Sequence, residues 1–303
     1  MSHFRLVTIS KNGSNPAYRG ARIGMDRLAK ARGVDVRHWM PVVDDSIPEQ
    51  ELILAQLARE RPDAVLVSPA HESRLDPMLD QLRQAGVAVV MFVGRTRRHD
   101  LARCYVGSDD VAMTQAVARA VARRLDGQGS VAILDGNPLG ILYAPRAEGF
   151  RAGLAEYPGM RIVGARDGNF LREPARQAMR ELLERHGPTD AVLVANDFMG
   201  IGALDALRER GVRPLLGSVN ATPEGIAAIR AGDMLVSAAF NAMGMGCLAM
   251  EAALRILKGQ AVPDHIVLPA ELVDAGNLQA WDLPYDQRPL PDWDETLAAQ
   301  RVA

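Results

Sequence analysis

In this chain, polar side chains that can form hydrogen bonds follow directly after apolar, strand-like runs. The clearest case is Asn196-Asp197, which directly follows the apolar run at 191–195. Such a run, ending abruptly before a helical pattern, is typical of a parallel strand buried on both faces. Ligands of open α/β sheets bind at the carboxyl ends of the strands. The sequence therefore predicts that this polar pair faces a small polar molecule.

The strand before Asn196 repeats an earlier part of the chain. Residues 63–67 and 190–194 both read Asp-Ala-Val-Leu-Val, and each copy lies between two helical patterns. This repeat predicts an α/β protein with two doubly wound parallel-sheet lobes. Lobes that face each other would line one cleft with seven loops: 10–18, 68–72, 93–96, 135–146, 166–172, 196–198 and 218–222. That arrangement predicts a binder of small molecules that closes at a hinge.

Local signals place some element ends. Gly33 should end the first long helix, and Thr222 followed by Pro223 should begin another. The short apolar stretch 104–107 is interpreted as carrying the chain into the second lobe. From Trp281 onward, the Pro-rich run 281–289 should be irregular and pack through its aromatic side chains on a surface.

The composition excludes several classes of function. The formal net charge is −2, so no strong field attracts nucleic acid or an anionic membrane. No run of 18 apolar residues is present, so membrane insertion is not expected. Cys104 and Cys247 are too few for a disulfide framework. Two buried thiols are favoured, although a single bridge between them stays open.

The sequence contains few of the motifs that indicate an enzyme. It contains no Gly-x-Ser-x-Gly elbow, phosphate loop or cluster of metal ligands. The Gly-x-Gly pairs at 200–202 and 244–246 are not in the first strand-to-helix turn that a dinucleotide site requires. We therefore expect a binding protein without catalytic residues, cofactor or metal.

A set of motifs, spread over residues 4–270, resembles the type I periplasmic sugar-binding proteins. These are the ribose- and galactose-type solute receptors of ABC importers, related to the effector domains of lactose-repressor-type regulators. The resemblance rests on motifs in matching order and spacing: Ser10, Asn15 to Tyr18, Arg146 to Phe150, Asn196-Asp197 with Gly202 to Leu204, and Thr222 to Gly225. It implies two lobes joined by crossings near 103–108, 239–243 and 266–271. The N-terminal lobe would comprise 1–105 and 243–265, and the C-terminal lobe 106–242 and 266–303.

The resemblance also implies binding residues, which are carried over position by position. Tyr18 and Phe170 match aromatic side chains that pack on the sugar, and Arg146 matches an arginine with forked hydrogen bonds to its oxygens. Four asparagines match polar contacts. With two serines in the cleft loops and Arg95, the candidate set is Ser10, Asn15, Tyr18, Ser68, Arg95, Arg146, Phe170, Asn196, Asn220 and Asn241.

Structural roles compete with binding at four of these positions. Tyr18 could pack against its helix, and Phe170 could belong to the core. Arg146 could form a surface ion pair with Glu148 or Asp135. Asn196 could serve as a helix N-cap, a role that is compatible with ligand contact.

Two departures from the family bear on the ligand. Sugar binders commonly have Asp-Arg after the fourth strand of lobe one, where this chain has Val93-Gly94-Arg95. They commonly have Asp where this chain has Asn220. A carboxylate can accept hydrogen bonds from two neighbouring hydroxyls, so an ordinary aldopyranose is less favoured. A sugar, a polyol or a sugar acid bound through Arg146 remain the hypotheses.

Two roles fit such a binder. The first is a monomeric solute receptor that delivers a carbohydrate-like ligand to ABC permease subunits, and the second is a module that reports occupancy to a signalling partner. A DNA-binding regulator is disfavoured because only three residues precede Phe4. The resemblance implies a periplasmic location, but no signal peptide is apparent, which leaves a cytoplasmic location open.

Overall fold

The computed structural model describes residues 4–300 and divides the chain into two compact units. Unit 1 contains the chain up to Ser108, Ala242–Leu268 and the tail from Tyr285. Unit 2 contains Asp109–Asn241 and Pro269–Pro284. The backbone therefore passes from one unit to the other four times.

Unit 1 is built on a six-stranded parallel sheet with the order β11-β5-β4-β3-β1-β2. The strands are β1 (Leu6–Ile9), β2 (Val36–Trp39), β3 (Ala64–Val67), β4 (Ala88–Phe92), β5 (Cys104–Ser108) and β11 (His265–Leu268). The helices are α1 (Pro16–Arg32), α2 (Ile47–Glu60), α3 (Asp76–Gln84), α9 (Ala242–Leu257) and α10 (Trp293–Gln300). Helices α1 and α9 touch closely at Gly24, where an added Cβ would lie 2.1 Å from the Met243 carbonyl oxygen.

Unit 2 has the same plan, with the strand order β12-β10-β9-β8-β6-β7. Its strands are β6 (Gln128–Asp135), β7 (Gly159–Asp167), β8 (Ala191–Val194), β9 (Leu215–Val219), β10 (Val236–Ala239) and β12 (Glu271–Val273), of which β12 is antiparallel to β10. Its helices are α4 (Asp110–Arg124), α5 (Tyr143–Ala155), α6 (Arg172–His186), α7 (Asp197–Glu209) and α8 (Pro223–Arg230). In both units we call the side where the parallel strands end the carboxyl edge.

The repeated sequence forms corresponding strands, as predicted. Residues 64–67 are β3 and residues 191–194 are β8, and every residue of both strands is buried. Each strand lies inside its sheet, next to the first strand of its unit. Burial on both faces explains why neither copy shows an alternating polar pattern.

The chain path differs from the expectation in two places. The stretch 104–107 is strand β5 of unit 1, which pairs with β4 and β11, and the chain does enter unit 2 directly after it, at Asp109. Helix α4, which follows at Asp110, was not predicted. The tail from Tyr285 was assigned to the C-terminal lobe, whereas it packs on unit 1.

Specific contacts hold this tail on unit 1. The Tyr285 ring lies over Gly20, where an added Cβ would be 2.8 Å from the ring. Arg27 Nη1 donates hydrogen bonds to the carbonyl oxygens of Tyr285 and Arg288, at 3.0 and 2.6 Å. The Arg255 guanidinium carbon lies 4.7 Å from the centroid of the Trp293 ring. These partners are far apart in sequence, so local patterns could not predict the docking.

Both cysteines are free and buried in unit 1, as the sequence favoured. Burial raises the pKa of each thiol to about 12. Across residues 4–300, no helix is both long and apolar enough to cross a membrane.

Candidate ligand-binding residues

Arg146 lies in α5 at the carboxyl edge of unit 2, and its side chain is 2% exposed. Its Nε donates a 2.7 Å hydrogen bond to Asp110 Oδ1, and Nη1 donates to the Ala195 carbonyl oxygen at 2.6 Å. Nη1 also lies 3.4 Å from Asn220 Oδ1. Within residues 4–300, the Nη2 amino group makes no hydrogen bond. Three of the five guanidinium donors are thus used, and the two on Nη2 can donate to other groups.

Neither of the two surface carboxylates that the sequence offered as alternatives pairs with Arg146 in the described chain. Asp135 instead accepts from Arg151 Nη2 at 2.8 Å, and the ion-pair partner of Arg146 is Asp110. Asp110 was missed because the helix that it begins was missed. The pair of aspartates at 109 and 110 was the available signal, since acidic residues favour a helix N-terminus.

Two aromatic rings flank the Arg146 guanidinium. Its central carbon lies 6.0 Å from the Phe170 ring centroid and 5.0 Å from that of Phe240. Phe170 has a left-handed backbone, with φ of 59°, and its ring covers Gly136 so closely that a Cβ there would lie 2.0 Å away. Phe240 was not among the predicted residues. Flat rings beside a cation form a surface suited to the C–H faces of a polyhydroxy ligand.

Asn196 does serve as the N-cap of α7, where its Oδ1 accepts from Met199 N at 2.8 Å. Its Nδ2 donates to the Phe170 carbonyl oxygen at 3.2 Å. The side chain therefore positions Phe170 while it caps the helix. Asn220, with φ of 121°, lies next to Arg146 at the end of β9.

Asp197, the second residue of the polar pair, is fully buried. Its Oδ2 accepts from Thr222 N at 2.7 Å, and its Oδ1 accepts from Ser237 Oγ at 2.7 Å. Burial raises the pKa of this carboxyl to about 6, although its hydrogen bonds act in the opposite direction. Asp197 therefore joins the loops after β8 and β9 and has a structural role.

In unit 1, three predicted residues come together at the carboxyl edge. Ser10, Tyr18 and Ser68 are all buried, and Ser68 Oγ lies 3.5 Å from the Tyr18 hydroxyl. Gln50 fixes the loop after β3, because it donates to the Ser68 carbonyl oxygen and accepts from Ala70 N. Asn15 caps α1 through a 3.0 Å hydrogen bond from Ala17 N.

Arg95 and Asn241 have different surroundings from these groups. Arg95 is exposed and lies 5.1 Å over the Tyr105 ring. It lines a cavity of about 470 Å³ with His99, Asp264 and His265. Asn241, with φ of 47°, directly precedes α9 at the end of a unit 2 segment.

A second cavity lies away from the predicted residues of unit 2. It has a volume of about 720 Å³ and lies between α7, α8 and the beginnings of β9 and β10. That position is at the opposite edge of the sheet from Arg146 and Asn196. Among residues 4–300, no group of three or more metal-ligating side chains is placed to bind a metal ion.

Comparison with known proteins agrees with this architecture. The periplasmic binding protein domain matches residues 6–261. A xylitol-binding protein of Mycolicibacterium smegmatis is 29% identical over 252 residues, which cover 82% of this chain and 71% of that protein.

Solved structures show the same fold. The periplasmic component of an ABC-type sugar transport system from Hahella chejuensis superposes with a TM-score of 0.84 at 27% identity, over 89% of this chain and 99% of that one. The fructose-binding periplasmic domain of a hybrid two-component system gives a TM-score of 0.85 at 20% identity, over 99% and 96%. Family members are binding proteins. The chain belongs to the periplasmic binding protein family, in its type I sugar-binding group.

Proposed function

We propose that this protein is the solute-binding receptor of an ABC importer and that it binds a small neutral carbohydrate-like ligand. Candidate contacts are the side chains at the carboxyl edges of the two sheets. The xylitol-binding relative and the ABC-type sugar transport component support this role. The observation that supports a neutral ligand most directly is the buried ion pair between Arg146 and Asp110.

This ion pair bears directly on the choice between neutral and acidic ligands. The Arg146 charge is already compensated by a carboxylate at 2.7 Å, and both side chains are at most 5% exposed. A ligand carboxylate would place a second anion beside one cation in a site from which water is largely excluded. Hydroxyl oxygens can accept from Nη2 without that cost. A sugar or polyol is therefore favoured over a sugar acid.

A thermal-shift and calorimetry panel tests this proposal. The protein is unfolded and refolded to remove any bound molecule, then mixed with neutral probes (xylitol, D-ribose, D-fructose and myo-inositol) and with acids (xylonate, ribonate and glucuronate). A ligand at about 100 times its Kd stabilises the folded state by roughly 2.7 kcal/mol. We expect hits among the neutral probes alone. Equal affinity for matched neutral and acidic probes would contradict the charge argument. If no probe binds, the proposal of a carbohydrate-like ligand is contradicted.

The alternative is a sensor that reports ligand occupancy to a signalling partner. The similarity to a two-component system domain concerns the fold, which is compatible with either role. Deletion of the gene separates them. Loss of uptake of the ligand supports the importer, whereas normal uptake with a lost transcriptional response supports the sensor. Fractionation of the cells and light scattering would test the proposed periplasmic location and monomeric state.

A further inference from the structure

A second buried ion pair lies at the carboxyl edge of unit 1. Lys11 directly follows Ser10, and its Nζ is 3.0 Å from Asp45 Oδ1, with the two side chains 6% and 8% exposed. The Lys11 ammonium also lies 6.0 Å from the Tyr18 ring centroid. A buried ion pair adds little to stability, because removing two charges from water costs about as much as their attraction returns. Its presence beside Ser10 and Tyr18 therefore points to a role in recognition.

The backbone holds this pair in place. Asp45 has a left-handed φ of 61°, a conformation that aspartate and asparagine adopt more readily than other residues with a side chain. Its N–H donates to the Lys11 carbonyl oxygen at 2.8 Å. The neighbouring Asp44 accepts from Gly13 N at 2.7 Å and from the N–H and hydroxyl of Ser14, so several hydrogen bonds join the loops after β1 and β2. The Asp45 carboxylate is thereby fixed beside Lys11.

Several polar atoms here lack hydrogen bonds within the described chain. Asp45 Oδ2 and the Ser10 hydroxyl are buried and have no hydrogen-bond partner among residues 4–300. Asp45 Oδ1 lies 3.0 Å from the Lys11 ammonium. A carboxylate can accept about four hydrogen bonds, and buried acceptors without donors are rare and costly. Donors from a polyhydroxy ligand would satisfy them.

No acidic residue directly follows β4, where sugar binders commonly have Asp-Arg: this chain has Val93-Gly94-Arg95, and Val93 is buried. We infer that the Lys11–Asp45 pair supplies the missing carboxylate from the ends of β1 and β2. Asp45 accepts hydrogen bonds from two neighbouring ligand hydroxyls, and Lys11 donates to a third oxygen. This inference rests on the proposed function and adds the residues that determine specificity.

Two variants of the full chain test it: Asp45→Asn and Lys11→Met. Calorimetry measures the Kd of each neutral probe that binds the wild-type protein, together with deoxy analogues that lack one hydroxyl. We expect each variant to bind the intact probe with a Kd about 10- to 100-fold higher, as for the loss of a hydrogen bond to a charged group. In Asp45→Asn, removal of the recognised hydroxyl should cost clearly less affinity than it does in the wild type.

The Arg37–Glu60 pair is the matched control. It has the same 3.0 Å separation in the same unit, but its side chains are partly exposed and Arg37 lies in β2 away from the loops. Arg37→Met should leave every Kd unchanged. If Asp45→Asn fails to fold, Lys11→Met and Lys11→Arg are measured in its place, and Lys11→Arg should bind better than Lys11→Met.

The outcomes separate the two proposals. A Kd within twofold of wild type in Lys11→Met and Asp45→Asn, or an unchanged hydroxyl dependence, overturns the role of this pair and leaves the receptor proposal standing. Failure of every neutral probe to bind the wild-type protein overturns both.

Discussion

Arg146 Nε lies 2.7 Å from Asp110 Oδ1, and this ion pair joins helices α4 and α5 at the carboxyl edge of unit 2. Because Arg146 is 2% exposed, removing the Asp110 charge leaves a buried cation without compensation.

Asp110→Asn should therefore lower the free energy of unfolding by about 3–5 kcal/mol, measured by urea denaturation. The same variant should raise the affinity for xylonate relative to xylitol, because Arg146 then carries an uncompensated charge. Arg119→Met is a suitable control, since it breaks an exposed pair with Glu156 and should change stability little. Equal stability of Asp110→Asn and wild type would show that the pair is not required for the fold.

The raised pKa of Asp197 predicts a pH dependence of stability. The pKa of this carboxyl is 3.8 in the unfolded chain and about 6 in the folded one, so the folded state binds the proton more tightly. Its contribution is complete below about pH 4 and is lost as pH rises to about 6, a change of roughly 3 kcal/mol.

Denaturation of wild type and Asp197→Asn between pH 4 and 7 measures this contribution. The wild type should lose stability relative to the variant as the pH rises through that window. Hydrogen bonds from Arg180 and Arg176 lower the pKa of Glu209 to about 2, so Glu209 changes stability at lower pH. It is present in both proteins and does not affect their comparison. Parallel curves would contradict the assignment to Asp197.

Asn196 combines a cap with an amide contact, and two substitutions separate them. Asn196→Ala removes the α7 N-cap and should cost about 1 kcal/mol of stability. Asn196→Asp keeps a capping oxygen but loses the Nδ2 donor to the Phe170 carbonyl oxygen. We expect the Asp variant to retain most of the stability and to bind the best neutral probe more weakly, as measured by calorimetry. Unchanged Kd values in both variants would restrict Asn196 to the capping role.

Gly20 allows the tail to dock, because the Tyr285 ring occupies the space of a side chain. Gly20→Ala should cost about 1–3 kcal/mol through overpacking and should loosen the tail. Faster chymotrypsin cleavage after Tyr285, which is 7% exposed, is the measurement. Gly200→Ala in α7 is the matched control, since the nearest atom there is the flexible Met234 Cε at 3.2 Å. Equal cleavage rates in the two variants would contradict tail docking through Gly20.

Some features of this protein could be predicted because their causes are local. Buried parallel strands need continuous apolar runs, which is why the two copies of Asp-Ala-Val-Leu-Val predicted β3 and β8. The cap by Thr222 and the helix end at Gly33 depend on neighbouring residues, and both predictions were confirmed. The family followed from the order of such motifs along the chain.

The electrostatic partners were decided by the tertiary structure alone. Arg146 pairs with Asp110, 36 residues earlier, and the tail packs on a helix at the other end of the chain. No local pattern encodes such contacts, because each partner taken singly looks like an ordinary surface charge or aromatic residue. The sequence determines which segments form strands, helices and caps. Only the folded chain decides which buried charges meet, because burial in a low-dielectric interior is what makes each charge require a partner.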